Sequence, residues 1–200
     1  FQSFIAALIS KKKKIPLVIS DQGGLTTHPE LTSSLLKKIL VKIQEPFINF
    51  IIKSATKISV PNEYEKNIFL EYCDESKITI IPNGINLDIK NSPILDFKKK
   101  YNIASNFVLF LGRFSKIKGL DILLQSIHIL KKQLTDKKIK FIIMGVDFGF
   151  ETEMLNTIRN LNISELVSVI KNPPREDVIQ AYRESNFLVY PSRWELSPLT

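Results

Sequence analysis

The sequence predicts an α/β fold built on doubly wound parallel sheets, and three observations carry that prediction. Short runs such as Leu17-Val18-Ile19 and Phe107-Val108-Leu109-Phe110-Leu111 are apolar at successive positions. A strand of this kind buries both faces, as strands of parallel sheets do. Stretches of helical period lie between the runs. Turn-forming residues close the runs: Ser20-Asp21-Gln22-Gly23-Gly24, Pro61-Asn62 and Pro82-Asn83-Gly84. Parallel strands joined by right-handed helical crossovers give the doubly wound arrangement.

Each element follows in order. Phe4, Ile5, Leu8 and Ile9 share one helical face, and Leu17–Ile19 is the first strand. A long amphipathic stretch has Leu31, Leu35, Ile39, Val41, Ile43, Ile48 and Ile52 as its apolar skeleton, and Pro46 is expected to start a new helix there or to kink this one. Lys57–Val60 is a strand, residues 63–72 a helix and Ile78–Ile81 a strand. Residues 86–105 carry Asn, Asp, Pro and Lys and form the expected domain boundary. Beyond it the sequence predicts strand 107–111, helix 118–134, strand 139–144, helix 151–161, strand 166–170, helix 175–185 and strand 187–190.

Composition bounds the chemistry. The chain has 200 residues, 44% of them hydrophobic, enough for a sizeable core and too many for a disordered segment. A single cysteine, Cys73, excludes an internal disulfide and a cysteine-based zinc site. His28 and His128 stand apart, and no His, Asp and Glu cluster has metal-ligand spacing, so no metal is expected. The net charge of +8 comes from 28 Lys and Arg against 20 Asp and Glu. Most of the cations are Lys, and Lys comes in short runs (11–14, 98–100, 131–132, 137–138) without interleaved aromatics, which reads as solvated surface and not as a nucleic-acid platform. Lys37, Lys38, Lys42 and Lys53 lie among apolar residues in the stretch 31–53, so that stretch reads either as a helix packed on the first sheet or as one resting on an anionic membrane. Phe1–Ile9 is apolar but too short to span a bilayer.

Open parallel sheets bind ligands at the carboxyl ends of their strands, so the residues that follow each strand are the candidates. The turn Gly112-Arg113-Phe114-Ser115-Lys116-Ile117-Lys118-Gly119 joins a strand to a helix. Gly112 permits an unusual backbone or a close ligand approach. Arg113 and Lys118 are suited to a diphosphate, Arg as a planar fork and Lys as a point charge, with the helix N-terminus adding N–H groups. On spacing alone they are equally readable as solvated cations beside an ordinary turn. Near the end, Pro191-Ser192-Arg193-Trp194-Glu195 sets a carboxylate beside the one Trp, where it is either a sugar contact or plain surface.

Together these loops resemble one family. Gly112-Arg113…Lys118-Gly119 with Asp121 and Leu124, then Met144-Gly145, then Tyr182…Asn186 and Pro191-Ser192…Glu195 is similar to the running pattern of the retaining glycosyltransferases of family 4, also called group 1. Lys77-Ile78…Ile81-Pro82-Asn83-Gly84-Ile85-Asn86 resembles the segment that closes their first domain, with Asn86 where the family usually has Asp. The resemblance implies the GT-B fold, two Rossmann-like domains. Residues 1–88 would be the C-terminal part of the acceptor-side domain, 89–105 the linker and 106–200 most of the nucleotide-sugar domain, both domains being incomplete.

It also implies roles. Arg113 and Lys118 would hold the donor diphosphate, and Glu195 would be the first Glu of the family's Glu-x7-Glu motif, beside the donor sugar; these three are the expected catalytic residues. Gly112, Gly145, Asn172, Pro173, Ser192 and Leu199 are the expected donor contacts, although the family more often has Gly near Asn172. Gln22 and Gly23 stand on the acceptor side, where many relatives carry His. The implied reaction moves a hexose from a nucleoside-diphosphate sugar to an acceptor glycan or lipid with retention at the anomeric carbon. No cofactor is needed, since the nucleotide sugar is the donor substrate. The implied setting is glycan biosynthesis in the cytoplasm, including the cytoplasmic face of a membrane, with no nucleic-acid partner. The isolated 200-residue chain is expected to be inactive. A non-catalytic nucleotide-binding module and another GT-B enzyme, such as a sugar-phosphate synthase, remain open alternatives.

Overall fold

The structure is a computed structural model that describes residues 2–21, 35–85, 96–104 and 106–195. Gln22, Gly23, His28, Asn86 and Leu199 lie outside the described residues. The chain divides into two compact units: the first runs to Ile85 and also takes Trp194 and Glu195, and the second ends at Arg193.

In the first unit, α1 (Gln2–Lys13) precedes β1 (Val18–Ser20), α2 (Leu35–Ser54), β2 (Lys57–Val60), α3 (Glu63–Phe69) and β3 (Ile78–Ile80). The strands are parallel in the order β1-β2-β3. Ile52, Ala55, Ile58, Val60, Phe69 and Ile78 form the core beneath them. Asn62 starts α3 in the standard way, its side-chain oxygen accepting the Glu65 N–H at 2.9 Å. Pro46 neither starts a helix nor ends one, for α2 runs through it. Proline removes one N–H from the helix. The helix beyond the proline is anchored: Phe47 and Phe50 meet Phe4 of α1 at ring distances of 5.2 and 5.4 Å, and Ile52 is buried. On the N-terminal side of Pro46, Leu36, Ile39, Leu40 and Ile43 are exposed.

The second unit holds α4 (Phe97–Lys100), β4 (Asn106–Leu111), α5 (Leu120–Ile129), α6 (Lys131–Asp136), β5 (Ile139–Gly145), α7 (Glu151–Asn160), β6 (Val167–Lys171), α8 (Arg175–Glu184) and β7 (Phe187–Leu188). All pairings are parallel, in the order β6-β5-β4-β7. Alternate residues of β4 enter different cores. Val108 and Phe110 pack with Phe141, Ile143, Leu124 and Met154 on one face. Phe107 and Leu109 pack with Ile142, Met144, Phe97 and Ile103 on the other. Both faces are thus buried, as the unbroken apolar run requires.

Two expectations change here. Part of the stretch read as linker is core: Phe97 is fully buried and Ile103 nearly so, and Lys100 and Tyr101 both bond the buried Asp177 of α8. The single helix expected over 118–134 is a short 3₁₀ turn at Lys116–Lys118 followed by α5 and α6. Gly119 sits in the left-handed region (φ +70°), which ends the 3₁₀ turn before α5 can start. The second break, at Leu130, leaves the apolar period undisturbed, so hydrophobic spacing cannot reveal it.

Candidate active site

β4 is the point where the sheet reverses its direction of growth. The chain builds outward from β4 through β5 to β6, then crosses back to lay β7 on the other side of β4. The crevice at the carboxyl end of such a reversal is where open α/β sheets bind ligands. The loop leaving β4, which carries Arg113 and Lys118, and the loop leaving β7, which carries Ser192 and Arg193, flank it.

These loops are bound to each other. The Lys118 side chain is 8% exposed, and its Nζ donates to the Tyr190 hydroxyl at 2.9 Å and lies 5.3 Å from the centre of that ring. The Ile117 carbonyl accepts the Arg193 backbone N–H at 2.7 Å and the Ser192 hydroxyl at 3.3 Å. The Arg193 guanidinium donates to both oxygens of Asp121, each at 2.8 Å, and to the Lys116 carbonyl. Hydrogen bonding from Arg193 holds the Asp121 carboxyl below the usual carboxylate range. A Cβ on Gly119 would come within 2.0 Å of the Pro191 carbonyl oxygen, so the two chains touch there backbone to backbone. Ser192 therefore meets the facing turn directly, and Glu195 follows Arg193 by two residues.

The glycines need a correction. Gly112 has no positive φ, and a Cβ there would make ordinary 3.5 Å contacts with Phe110 and Tyr190, so this turn does not owe its shape to a glycine at 112. Gly119 is the position with the unusual backbone. Gly145 is a glycine because its neighbour comes close: a Cβ would fall 1.8 Å from the Gly112 carbonyl oxygen. That closeness ties β5 to the turn carrying Arg113. Asn172 accounts for the glycine that the resemblance favours nearby. It holds φ +47°, a conformation that Asn and Gly share, and its N–H donates to the Gly145 carbonyl at 2.8 Å. Pro173 follows it, and Pro174 precedes α8.

Arg113 is exposed, with its guanidinium stacked 4.9 Å from the centre of the Phe148 ring. A cation over an aromatic face is restrained without losing its donors. The N-terminus of α7 is already occupied, since Asp147 Oδ1 accepts the N–H groups of Gly149, Phe150 and Glu151. No N-cap side chain occupies the start of α5, whose N-cap residue is Gly119. At the first unit's strand ends, Asp21 is nearly buried and Glu65 fully so. Burial, and then the neighbouring Asp21, push the Glu65 carboxyl up to about 8.

Chemically, the crevice offers two cations from one turn, one buried and one on an aromatic shelf, at the place where an α/β sheet receives anionic ligands. The pairings Lys118–Tyr190 and Arg193–Asp121 are not legible in the sequence, being 72 residues apart in each case. Their signal is topological, because only the placement of β7 beside β4 brings the partners together. Among the described residues no group of three His, Cys, Asp or Glu side chains is disposed to hold a metal ion. His128 instead places Nδ1 3.1 Å from the Leu161 carbonyl, and Cys73 is half-buried in the turn after α3, its thiol 3.6 Å from the Phe69 carbonyl.

Comparison with known proteins identifies the family of the chain. The family described as "Glycosyl transferases group 1" matches residues 92–200. An uncharacterized glycosyltransferase of Methanocaldococcus jannaschii is 27% identical over 195 residues, which are 97% of this chain and 47% of that protein. HepE of Anabaena, solved in complex with UDP-glucose, superposes with a TM-score of 0.74 at 19% identity over 97% of this chain and 51% of that one. A UDP-forming α,α-trehalose-phosphate synthase from Burkholderia xenovorans superposes with a TM-score of 0.75 at 10% identity, over 98% of this chain and 52% of that one. The chain spans about half the length of the relatives it matches. The fold is thus α/β of GT-B type with parallel sheets. With more than half its length matched by the family, and the matched half carrying the turn that holds Arg113 and Lys118, this chain belongs to the group 1 glycosyl transferases.

Proposed function

We propose that the protein carrying this chain transfers a hexose from a nucleoside-diphosphate sugar to an acceptor glycan or lipid, with retention at the anomeric carbon. The observation that carries this reading is the buried Lys118, fixed on Tyr190 at the reversal point of the sheet beside Arg113. A lysine is seldom buried without a task or a partner. In the reaction, Lys118 and Arg113 bind the diphosphate and stabilise the negative charge that grows on it as the glycosidic bond breaks. Glu195 orients the donor sugar through its hydroxyls. Gly145, Asn172 and Pro173 offer backbone groups to the nucleotide, and Ser192 and Leu199 are further donor contacts. Gln22 and Gly23 belong to the acceptor side.

No helix among the described residues is long and apolar enough to cross a membrane. The exposed Leu36, Ile39, Leu40 and Ile43 of α2, interleaved with Lys38 and Lys42, support a peripheral membrane surface for lipid acceptors. Cosedimentation with anionic phospholipid vesicles that is lost in Leu36→Glu/Leu40→Glu bears this out; equal binding of the variant contradicts it.

The enzymatic test uses the full-length protein with UDP-glucose as the probe donor. UDP release coupled to an acceptor, with an α-configured product by NMR, is the expected result. Removal of one charge-stabilising donor costs about 10²–10³ in turnover, so Lys118→Ala is expected to fall in that range, and Glu195→Gln is expected to lower turnover by weakening its grip on the sugar hydroxyls. UDP-glucose bound but never turned over would favour the non-catalytic module instead, and a free sugar phosphate as acceptor would favour a sugar-phosphate synthase.

A further inference from the structure

We infer that Arg193 is a positioning residue of the donor site. Its guanidinium clamps the loop leaving β7 onto the turn that carries Lys118, and so sets the geometry in which Lys118 meets the donor. The inference rests on the donor-site reading above for its chemistry, and on contacts within the second unit for its structure. Arg193 makes ties of three kinds across the crevice. Its backbone N–H bonds the Ile117 carbonyl at 2.7 Å, its fork takes both oxygens of Asp121 at 2.8 Å, and Nη1 also reaches the Lys116 carbonyl. The two carbonyls belong to the 3₁₀ turn Lys116–Lys118, and Asp121 opens α5 immediately after it. One side chain therefore grips the turn on both sides of Lys118. A planar fork fixes orientation as well as distance, which a lysine ammonium does not.

The exposure of this clamp argues that it serves geometry. Arg193 and Asp121 are 41% and 39% exposed, and ion pairs so open to water add little to folding stability. The donor-binding cation beside them is buried, and its position depends on the turn they hold. A displacement of about 1 Å at a catalytic group can cost about 100-fold in rate.

The test uses the full-length protein and its variants Arg193→Ala, Arg193→Lys, Asp121→Asn and the double variant Arg193→Ala/Asp121→Asn. With UDP-glucose, kcat/KM is expected to fall about 10–100-fold in Arg193→Ala and in Asp121→Asn, and less in Arg193→Lys. The double variant is expected to lose no more than the worse single one, because both remove the same clamp. The melting temperature should drop by no more than about 4 °C. Backbone hydrogen exchange should quicken at Lys118 and Gly119, whose N–H groups bond the Ser115 and Lys116 carbonyls, and remain slow in β4. Turnover within twofold of the parent in Arg193→Ala overturns the inference, as does additivity in the double variant or unchanged exchange at 118–119. A parent protein inert toward UDP-glucose counts against the donor reading instead, and the exchange measurement then decides the clamp by itself.

Discussion

Lys118 shows how much a single residue depends on its setting. On the sequence it is one Lys among 28 Lys and Arg, marked out by its place in a strand–turn–helix pattern. Among the described residues it is the buried one, held on a tyrosine 72 residues later. Gly119 beside it carries a sharper requirement. Gly119→Ala would strain a φ of +70° and drive a methyl into the Pro191 carbonyl. The left-handed strain by itself costs about 1 kcal/mol, and the clash adds to it, so denaturant unfolding should show a loss well above 1 kcal/mol. By contrast Gly112→Ala should leave stability nearly unchanged, since the space for a Cβ exists. The family pattern points to all these glycines alike; only the packing of Pro191 and Gly112 separates the necessary ones from the permissive one.

Glu65 gives a pH prediction at the same scale. Its folded-state value is near 8 against an ordinary 4.5, raised first by burial and then by Asp21. The unfolded chain releases this proton at lower pH than the folded one. The native state therefore binds more protons between those limits, and stability falls as pH rises through that window. Below it the contribution is fully present, and above about 8 the loss is complete. Glu65→Gln keeps the shape without the charge and should flatten the decline, as seen by thermal unfolding from pH 5 to 9. A parallel decline in the variant would place its cause elsewhere. Nothing in the sequence marks Glu65, because Asn62-Glu63-Tyr64-Glu65 reads as an ordinary helix start.

Among elements, strands were the most legible because their signal is redundant. β4 and β5 are apolar on both faces, and each face fills a separate core. Helix limits were less so. Pro46 and Leu130 show opposite failures: a strong breaker that aromatic contacts override, and a break with no breaker. The short α4 was hidden for a different reason. Its Lys98-Lys99-Lys100 run looks like solvated linker, while Phe97 and Asp177 do the anchoring. Asp177 is 1% exposed and accepts from Lys100 Nζ at 2.6 Å and from the Tyr101 hydroxyl. Those bonds pull its carboxyl below the usual range although burial pushes the other way. Burial and Asp177 also raise the Tyr101 phenol to about 12. Asp177→Ala leaves the phenol without its acceptor and should destabilise the second unit by about 1–3 kcal/mol, measured by chemical denaturation. A change below a few tenths would mean that α4 is held without Asp177, by Phe97 and by the Glu184 carboxylate that accepts the Phe97 and Lys98 N–H groups.

On the scale of the whole molecule, two parallel sheets were legible from periodicity, and the family from the order of its loops. The reversal at β4 was expected as a class of architecture, but which strands flank it is a matter of pairing, and pairing is written in no local pattern. That pairing is what turns Arg113, Lys118, Ser192 and Arg193 from scattered positions into one crevice. The central claim is that this crevice holds a nucleoside diphosphate. Isothermal titration of UDP into the full-length protein and into its Lys118→Ala and Arg113→Ala variants tests it most directly. Saturable binding by the parent, weakened about tenfold or more in each variant, is the predicted result; equal affinity in all three proteins would contradict it.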